Sequence, residues 1–165
     1  MRLKIAGRVR WALVMALALA LPLGSGCDGR KQSPAQVTIG EMTWSVELAT
    51  TEQQRYRGLS GRRELAEDEG MLFVYPREQT LDFCMRGCVI PLDIAFIDGQ
   101  LRVVSVQTMA VEPDLAGRVS YRSGAAAQYA LEVTAGALER AGVEVGDKVL
   151  LSGNIPSPTK AARRP

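Results

Sequence analysis

The chain has 165 residues, with 20 Lys and Arg against 18 Asp and Glu, three Cys and no His, for a formal net charge of +2. The lack of histidine excludes Ser-His-Asp and Cys-His catalysis and two-histidine metalloprotease helices. No Walker loop is present, and no G-x-G-x-x-G follows a strand-like run, so phosphate-cradling loops are excluded too.

Arg2, Lys4, Arg8 and Arg10 precede an apolar run from Trp11 to Leu23, and Gly24-Ser25-Gly26 then lead directly into Cys27. This is the build of an export signal. The run's 13 residues fall short of the roughly 20 a helix needs to cross a bilayer. A cysteine directly after small residues resembles a bacterial lipobox, in which cleavage leaves the cysteine as a lipid-bearing N-terminus; Gly24 stands where leucine is usual, and Leu23 sits one place early. Ordinary cleavage after Ala18-Leu19-Ala20 is the alternative. The expectation is a signal peptide over residues 1–26 and a chain held to a bacterial membrane through lipidated Cys27, facing the periplasm or the cell exterior. Asp28 resembles the signal that keeps such lipoproteins on the inner membrane. Without residues 1–26, 16 basic residues remain against 18 acidic ones, mixed along the chain. No nucleic-acid partner is expected from that balance.

Residues 27–35 are polar with Gly, Ser and Pro and form a tether. In residues 36–153, one domain's worth of chain, the period is mostly two. QVTI and MTWSVELA flank Gly40-Glu41 and predict a hairpin with one buried face. Thr50 or Thr51 caps a short helix ending near Gly58, with Gln53 and Gln54 three residues after each. GMLFVY (70–75) and TLDFCM (80–85) are expected as two strands separated by Pro76 and a charged turn. PLDIAFI and QLRVVSV, joined by Asp98-Gly99, predict a hairpin with a type I′ turn. A loop with Pro113 and Gly117 precedes a strand at 127–133, a short helix in AGALERAG closed by Gly142, and a last strand, DKVLL. Residues 154–165, with two prolines and a basic finish, are expected to be disordered. The fold class is mainly β: a single compact sandwich or barrel of short, largely antiparallel strands with one or two short helices.

The blocks RYRGLSGRREL, DEGMLFVYP, DFCMRGCVIPLDIAFID, QYALEVTAG and GVEVGDKV occur in the order and spacing of the bacterial and archaeal family known as domain of unknown function 192. The resemblance spans about residues 38–151 and implies a compact, jelly-roll-like β domain, often exported; it implies no activity. The family's usual centre reads F-W-M-K/R-N-T or N-C before I-P-L-D. Here Cys84 replaces the tryptophan and Gly87 the asparagine.

Cys84 and Cys88 are the candidate chemistry. Fully extended, their Cα atoms would lie roughly 13 Å apart, and a disulfide needs about 7 Å or less, so a bond requires a bend, which Gly87 permits. A disulfide, a pair of buried thiols and a redox pair all stay open. C-x-x-x-C on a strand and turn lacks the helix-opening C-x-x-C setting of thioredoxin-like domains, and without histidine a metal site would have to recruit Asp82 or Asp93. No metal or cofactor is expected. Candidate binding residues, polar and set beside turns and apolar strands, are Arg57, Arg62, Asp68, Arg86, Asp93, Tyr129 and Glu132. If its strand alternates, Asp93 shares a face with Ala95 and Ile97 and needs donors. One structural account has Arg57 or Arg62 neutralising Asp93 and Glu132 bracing a loop; the other has these groups lining a polar pocket for a small molecule. The working expectation is a tethered extracytoplasmic module that binds a small molecule or an envelope component. The alternatives are a thiol redox protein using Cys84 and Cys88, or an accessory subunit of an envelope protein complex.

Overall fold

The structure, a computed structural model, describes residues 34–157. The expected signal peptide, Cys27 and the end of the basic tail lie outside the described residues.

The chain begins as a hairpin of β1 (Gln36–Ile39) and β2 (Met42–Ala49). Gly40 has φ +60 while Glu41 keeps the ordinary sign, the pattern of a type II′ turn, whose twist matches that of its strands. Helix α1 (Glu52–Arg57) follows, opened by a capping box in which the Thr51 hydroxyl accepts from the Gln54 backbone and the Gln54 side chain accepts from that of Thr51. This crossover allows β3 (Glu69–Phe83) to run parallel to β2, because parallel neighbours cannot be joined by a tight turn.

β3 is one strand, where two were expected. Its register against β6 (Tyr121–Thr134) breaks between Val74 and Gln79 and again between Thr80 and Asp82. Pro76 sits in the first irregularity, where no ladder N–H is needed, so the strand bends there without ending. β4 (Leu92–Ile97) and β5 (Val103–Met109) form the second hairpin. Its loop is not the expected two-residue turn. Leu101 N donates to Asp98 O and Asp98 N to Arg102 O, the Asp98 carboxylate accepts from Gln100 and Arg102, and the positive φ, +60, falls on Leu101. That is a three-residue loop closed by a bulge, and it lets Leu101 pack on the core. The chain ends with α2 (Ala137–Arg140) and β7 (Val149–Ser152). Ile155 also packs on the core, past the expected domain boundary at Gly153.

The seven strands form a single sheet in the order β5-β4-β6-β3-β2-β1-β7. It curls until its two ends touch: Arg102 bridges Lys148, Val103 N donates to Asp147 O, and Val149 N donates to Leu101 O. The result is a mainly β, partly closed barrel. Every strand contributes to one cluster, including Val37, Trp44, Leu72, Ala95, Val103, Leu131 and Val149, as the interior of a curled sheet requires. A second cluster lies on the opposite face of β3, β4 and β6 and contains Phe73, Leu81, Ile94, Phe96 and Ala130, covered by Leu59, Met85 and Cys88. The central strands are therefore buried on both sides.

Asp93 does share a face with Ala95 and Ile97, on the interior side. Neither Arg57 nor Arg62 reaches it. The Thr108 hydroxyl donates to one carboxylate oxygen (2.8 Å) and the Leu138 backbone N–H, at the start of α2, donates to the other (3.2 Å). Its role is to fasten α2 to the sheet. Asp93→Ala leaves those two donors unsatisfied in a buried setting and should cost about 2–3 kcal/mol, read as a lower denaturation midpoint with an unchanged m-value.

Candidate functional site

The second face carries a cleft of ≈ 620 Å³. α1, β3 and the stretch that directly follows β3 build its walls. α1 contributes Arg55, Tyr56 and Arg57; β3 contributes Phe73, Tyr75, Arg77, Asp82 and Phe83; and the stretch after β3 contributes Cys84, Arg86 and Cys88. Glu132 of β6 also lines it.

That last stretch is held by a tight turn. Cys88 N donates to Met85 O (3.0 Å), and Gly87, with φ +67 at the third position, gives the type II form. Neighbours clamp the turn from both sides. Gly61 N donates to Gly87 O, Gly87 N donates to Leu115 O, and the Ser60 hydroxyl donates to Arg86 O at 2.7 Å. Gly117 lies so close that a Cβ there would stand 2.6 Å from that of Arg86. The loop carrying Gly117 is itself gathered by Glu112, whose carboxylate accepts from the backbone of Arg118 and Val119; those hydrogen bonds hold its pKa below the usual range.

Arginines and aromatic rings alternate around the cleft. The Arg86 guanidinium lies 4.0 Å from the centre of the Tyr56 ring, and that of Arg55 lies 4.8 Å from the centre of Tyr75. Arg55 is also fixed by donating to Thr50 O (2.8 Å) and Val74 O (3.0 Å). Phe83 packs edge-on against Phe73, Tyr75 and Phe96. Asp82 is held by the Ser120 hydroxyl and by Arg122.

Glu132 is the unusual group. It stands opposite Met71 on β3 and Ile94 on β4, and it is 4% exposed. Among the described residues no hydrogen bond or ion pair reaches its carboxyl, and burial alone pushes its pKa up to about 8, so it is mainly protonated at neutral pH. It braces no loop. Cys84 and Cys88 are free cysteines rather than the disulfide considered above. Burial, then Glu132, then Cys84 push the Cys88 thiol up to about 11. A thiol so placed is not a nucleophile at neutral pH, where reactivity requires the thiolate. Burial also raises Tyr75, opposed by Arg55 and reinforced by Glu132.

Of the residues singled out from sequence, Arg57, Cys84, Arg86, Cys88 and Glu132 converge on the cleft. Arg62 instead pairs with Glu47 beside a smaller neighbouring groove, and Asp68 is exposed ahead of β3. Asp93 and Tyr129 belong to the interior face. Arg55, Tyr56, Tyr75 and Arg77 were not singled out. Their signal was the RYR triplet on a capped helix and the parity of Tyr75 with Phe73 along β3.

A family model described as uncharacterized ACR, COG1430, matches residues 35–151. The chain belongs to the DUF192 family. Two solved structures share the fold. One, a protein from Sinorhizobium meliloti 1021 provisionally named a transcription regulator, is 30% identical with a TM-score of 0.64, the match covering 74% of this chain and 95% of that one. The other, a protein of unknown function from Novosphingobium aromaticivorans DSM 12444, is 31% identical with a TM-score of 0.65, covering 85% of this chain and 99% of that one. No protein with curated function matches the sequence. This DUF192 chain therefore shares a fold with its relatives, and the cleft must be read from its own residues.

Two measurements follow. Glu132 has a raised pKa in the folded state, so its favourable contribution is complete below the ordinary carboxylate range and is lost as pH rises toward about 8. Glu132→Gln should therefore be more stable than wild type by on the order of 3–4 kcal/mol at pH 8 and by little near pH 4, checked by denaturant titration at both pH values. Separately, Cys88 should resist iodoacetamide in folded protein at pH 7 and react only as pH approaches about 11; in Glu132→Gln the midpoint should fall, because a neighbouring negative charge has been removed.

Proposed function

We propose that this DUF192 chain is a membrane-tethered, extracytoplasmic module that binds a small molecule in the cleft on its second face. The observation that supports the reading best is Glu132: a carboxyl 4% exposed, with no protein donor or cation beside it among the described residues, is disfavoured as a charge by its burial, and it lines a cleft where a ligand could supply what it lacks. Arginine and aromatic side chains around the opening provide orientation and contact area. The tether rests on the lipobox-like Gly24-Ser25-Gly26-Cys27 and on the polar linker after it.

The thiol-redox alternative draws support from two free cysteines sharing one cleft. The upward shift of Cys88 counts against it, since a catalytic dithiol needs a lowered pKa.

Cys84→Trp tests the binding reading. It restores the residue usual in the family and fills part of the cleft, so the protein should stay folded, with a midpoint close to wild type. Small molecules carried through purification by the wild-type full chain and released on denaturation should be lost from the variant by mass spectrometry. Equal recovery of the same molecules from both would place any binding elsewhere. For the tether, Cys27→Ser should move the chain from the membrane fraction to the soluble fraction of cells and abolish labelling by radioactive palmitate; unchanged fractionation would mean that lipid is not the anchor.

A further inference from the structure

We propose that the cleft takes a small zwitterion, with an ammonium group seated against Glu132 among Phe73, Tyr75 and Phe83, and with a phosphate or carboxylate held by arginines at the mouth. This rests on the reading of the cleft as a ligand site and specifies its occupant.

Exposure divides the cleft into two chemical zones. Glu132 and Phe73 are buried, whereas Arg57, Arg77 and Arg86 are exposed; all line the same space. The floor thus has an acid, and the mouth has three arginines against two exposed carboxylates, Glu52 and Asp82, the latter paired with Arg122 outside the cleft lining. Within the protein the floor acid and the arginines do not meet, since among the described residues neither an ion pair nor a hydrogen bond joins Glu132 to an arginine. Arg57 and Arg77 have no ion pair among the described residues either. The charged and titratable groups that line the cleft with Glu132 are Glu52, Arg55, Tyr56 and Arg57 from α1, Tyr75, Arg77 and Asp82 from β3, and Cys84, Arg86 and Cys88 from the turn segment; Asp82 is already engaged by Ser120 and Arg122. On β4 its cross-strand neighbour is apolar Ile94. Arg55 is committed to two backbone carbonyls and to the Tyr75 ring.

Simpler ligands fit one zone and offend the other. A plain anion satisfies the mouth, but at the floor it could only accept the single O–H of protonated Glu132 and would give that carboxyl neither a donor nor a counter-charge. A plain cation suits the floor and must pass the arginines. An ammonium provides up to three N–H donors and a positive charge to the carboxyl, and aromatic rings beside it add cation–π attraction. An anionic group at the other end of the molecule then meets guanidinium forks suited to phosphate or carboxylate. The proton balance follows directly. The ligand enters with its –NH₃⁺ intact, the Glu132 O–H bond breaks, its proton passes to solvent, and the carboxylate stays paired with the ammonium.

The experiment is calorimetric titration of the full chain in detergent at pH 7, in two buffers of different ionisation enthalpy. The probes are O-phosphoethanolamine, β-alanine, ethanolamine, inorganic phosphate and the short-chain lipid dihexanoylphosphatidylethanolamine. At least one zwitterion should bind about tenfold or more tightly than either ethanolamine or phosphate and release close to one proton. In Glu132→Gln both the release and the advantage over phosphate should disappear. Tighter binding of the lipid than of O-phosphoethanolamine identifies a membrane headgroup as the source of the chemistry, and the reverse identifies a soluble zwitterion. Phosphate binding as well as the zwitterions, or zwitterion binding without proton release, overturns the proposal while leaving the cleft a ligand site. Binding by none of the probes also overturns it, and the Cys84→Trp comparison then decides independently whether the cleft binds anything.

Discussion

Double burial of the central strand is the constraint on which the rest depends. β6 is hydrogen-bonded to β3 on one side and β4 on the other, with the barrel interior against one face and the second cluster against the other. Along such a strand alternation no longer separates inside from outside; it separates one core from another. Tyr129, Leu131 and Val133 point into the barrel, and Ala130 and Glu132 take the opposite side. Any polar residue of β6 between Tyr129 and Val133 is therefore withdrawn from water whichever way it faces. Glu132 is placed there by the fold, and its raised pKa follows from that position.

The walls around Glu132 are held by backbone contacts more than by side chains. The turn Met85–Cys88 receives hydrogen bonds from the segment after α1 and contacts the loop gathered by Glu112. Glycine is required where those segments meet, at Gly87 for its positive φ and at Gly117 for its close approach to Arg86. This arrangement sets the positions of Arg86 and Cys88 without asking either side chain to hold the structure together. It leaves Arg86 stacked on Tyr56, at an opening whose floor is rigid sheet.

How much of this was legible in the sequence depends on how local the cause was. The β1–β2 hairpin and the Thr51–Gln54 capping box were plain, because alternation and capping are settled within a few residues. Splitting β3 at Pro76 was an error of the same local logic: proline ends a regular ladder, but an irregularity in the pairing with β6 accommodates it, and that partner is about 50 residues away in the chain. Asp98-Gly99 suggested a two-residue turn, yet burial of Leu101 favoured a longer loop. Glu132 and Arg57 could be suspected from their polar character among apolar or turn residues. Their meeting with Tyr75 and Arg77 could not, because a parallel crossover and a bent strand bring them together and neither leaves a mark on spacing. Asp93 shows the converse case, a residue correctly marked as needing donors whose donors, Thr108 and Leu138, were invisible until β5 and α2 were placed.

The meeting of Arg102 with Lys148 has a consequence for how the molecule behaves among its own copies. An open seven-stranded sheet would offer two free borders of unpaired amides and carbonyls, each able to recruit a strand from another chain. Here β7 is only four residues long, and the residues on either side of the seam bond to one another through Val103, Asp147 and Val149. Basic side chains sit at the junction itself. A protein concentrated on a surface, as a lipid anchor would make it, meets neighbours far more often than one diffusing in bulk, and a seam bonded at this end of β5 and β7 shortens the template on which those encounters could grow into fibres.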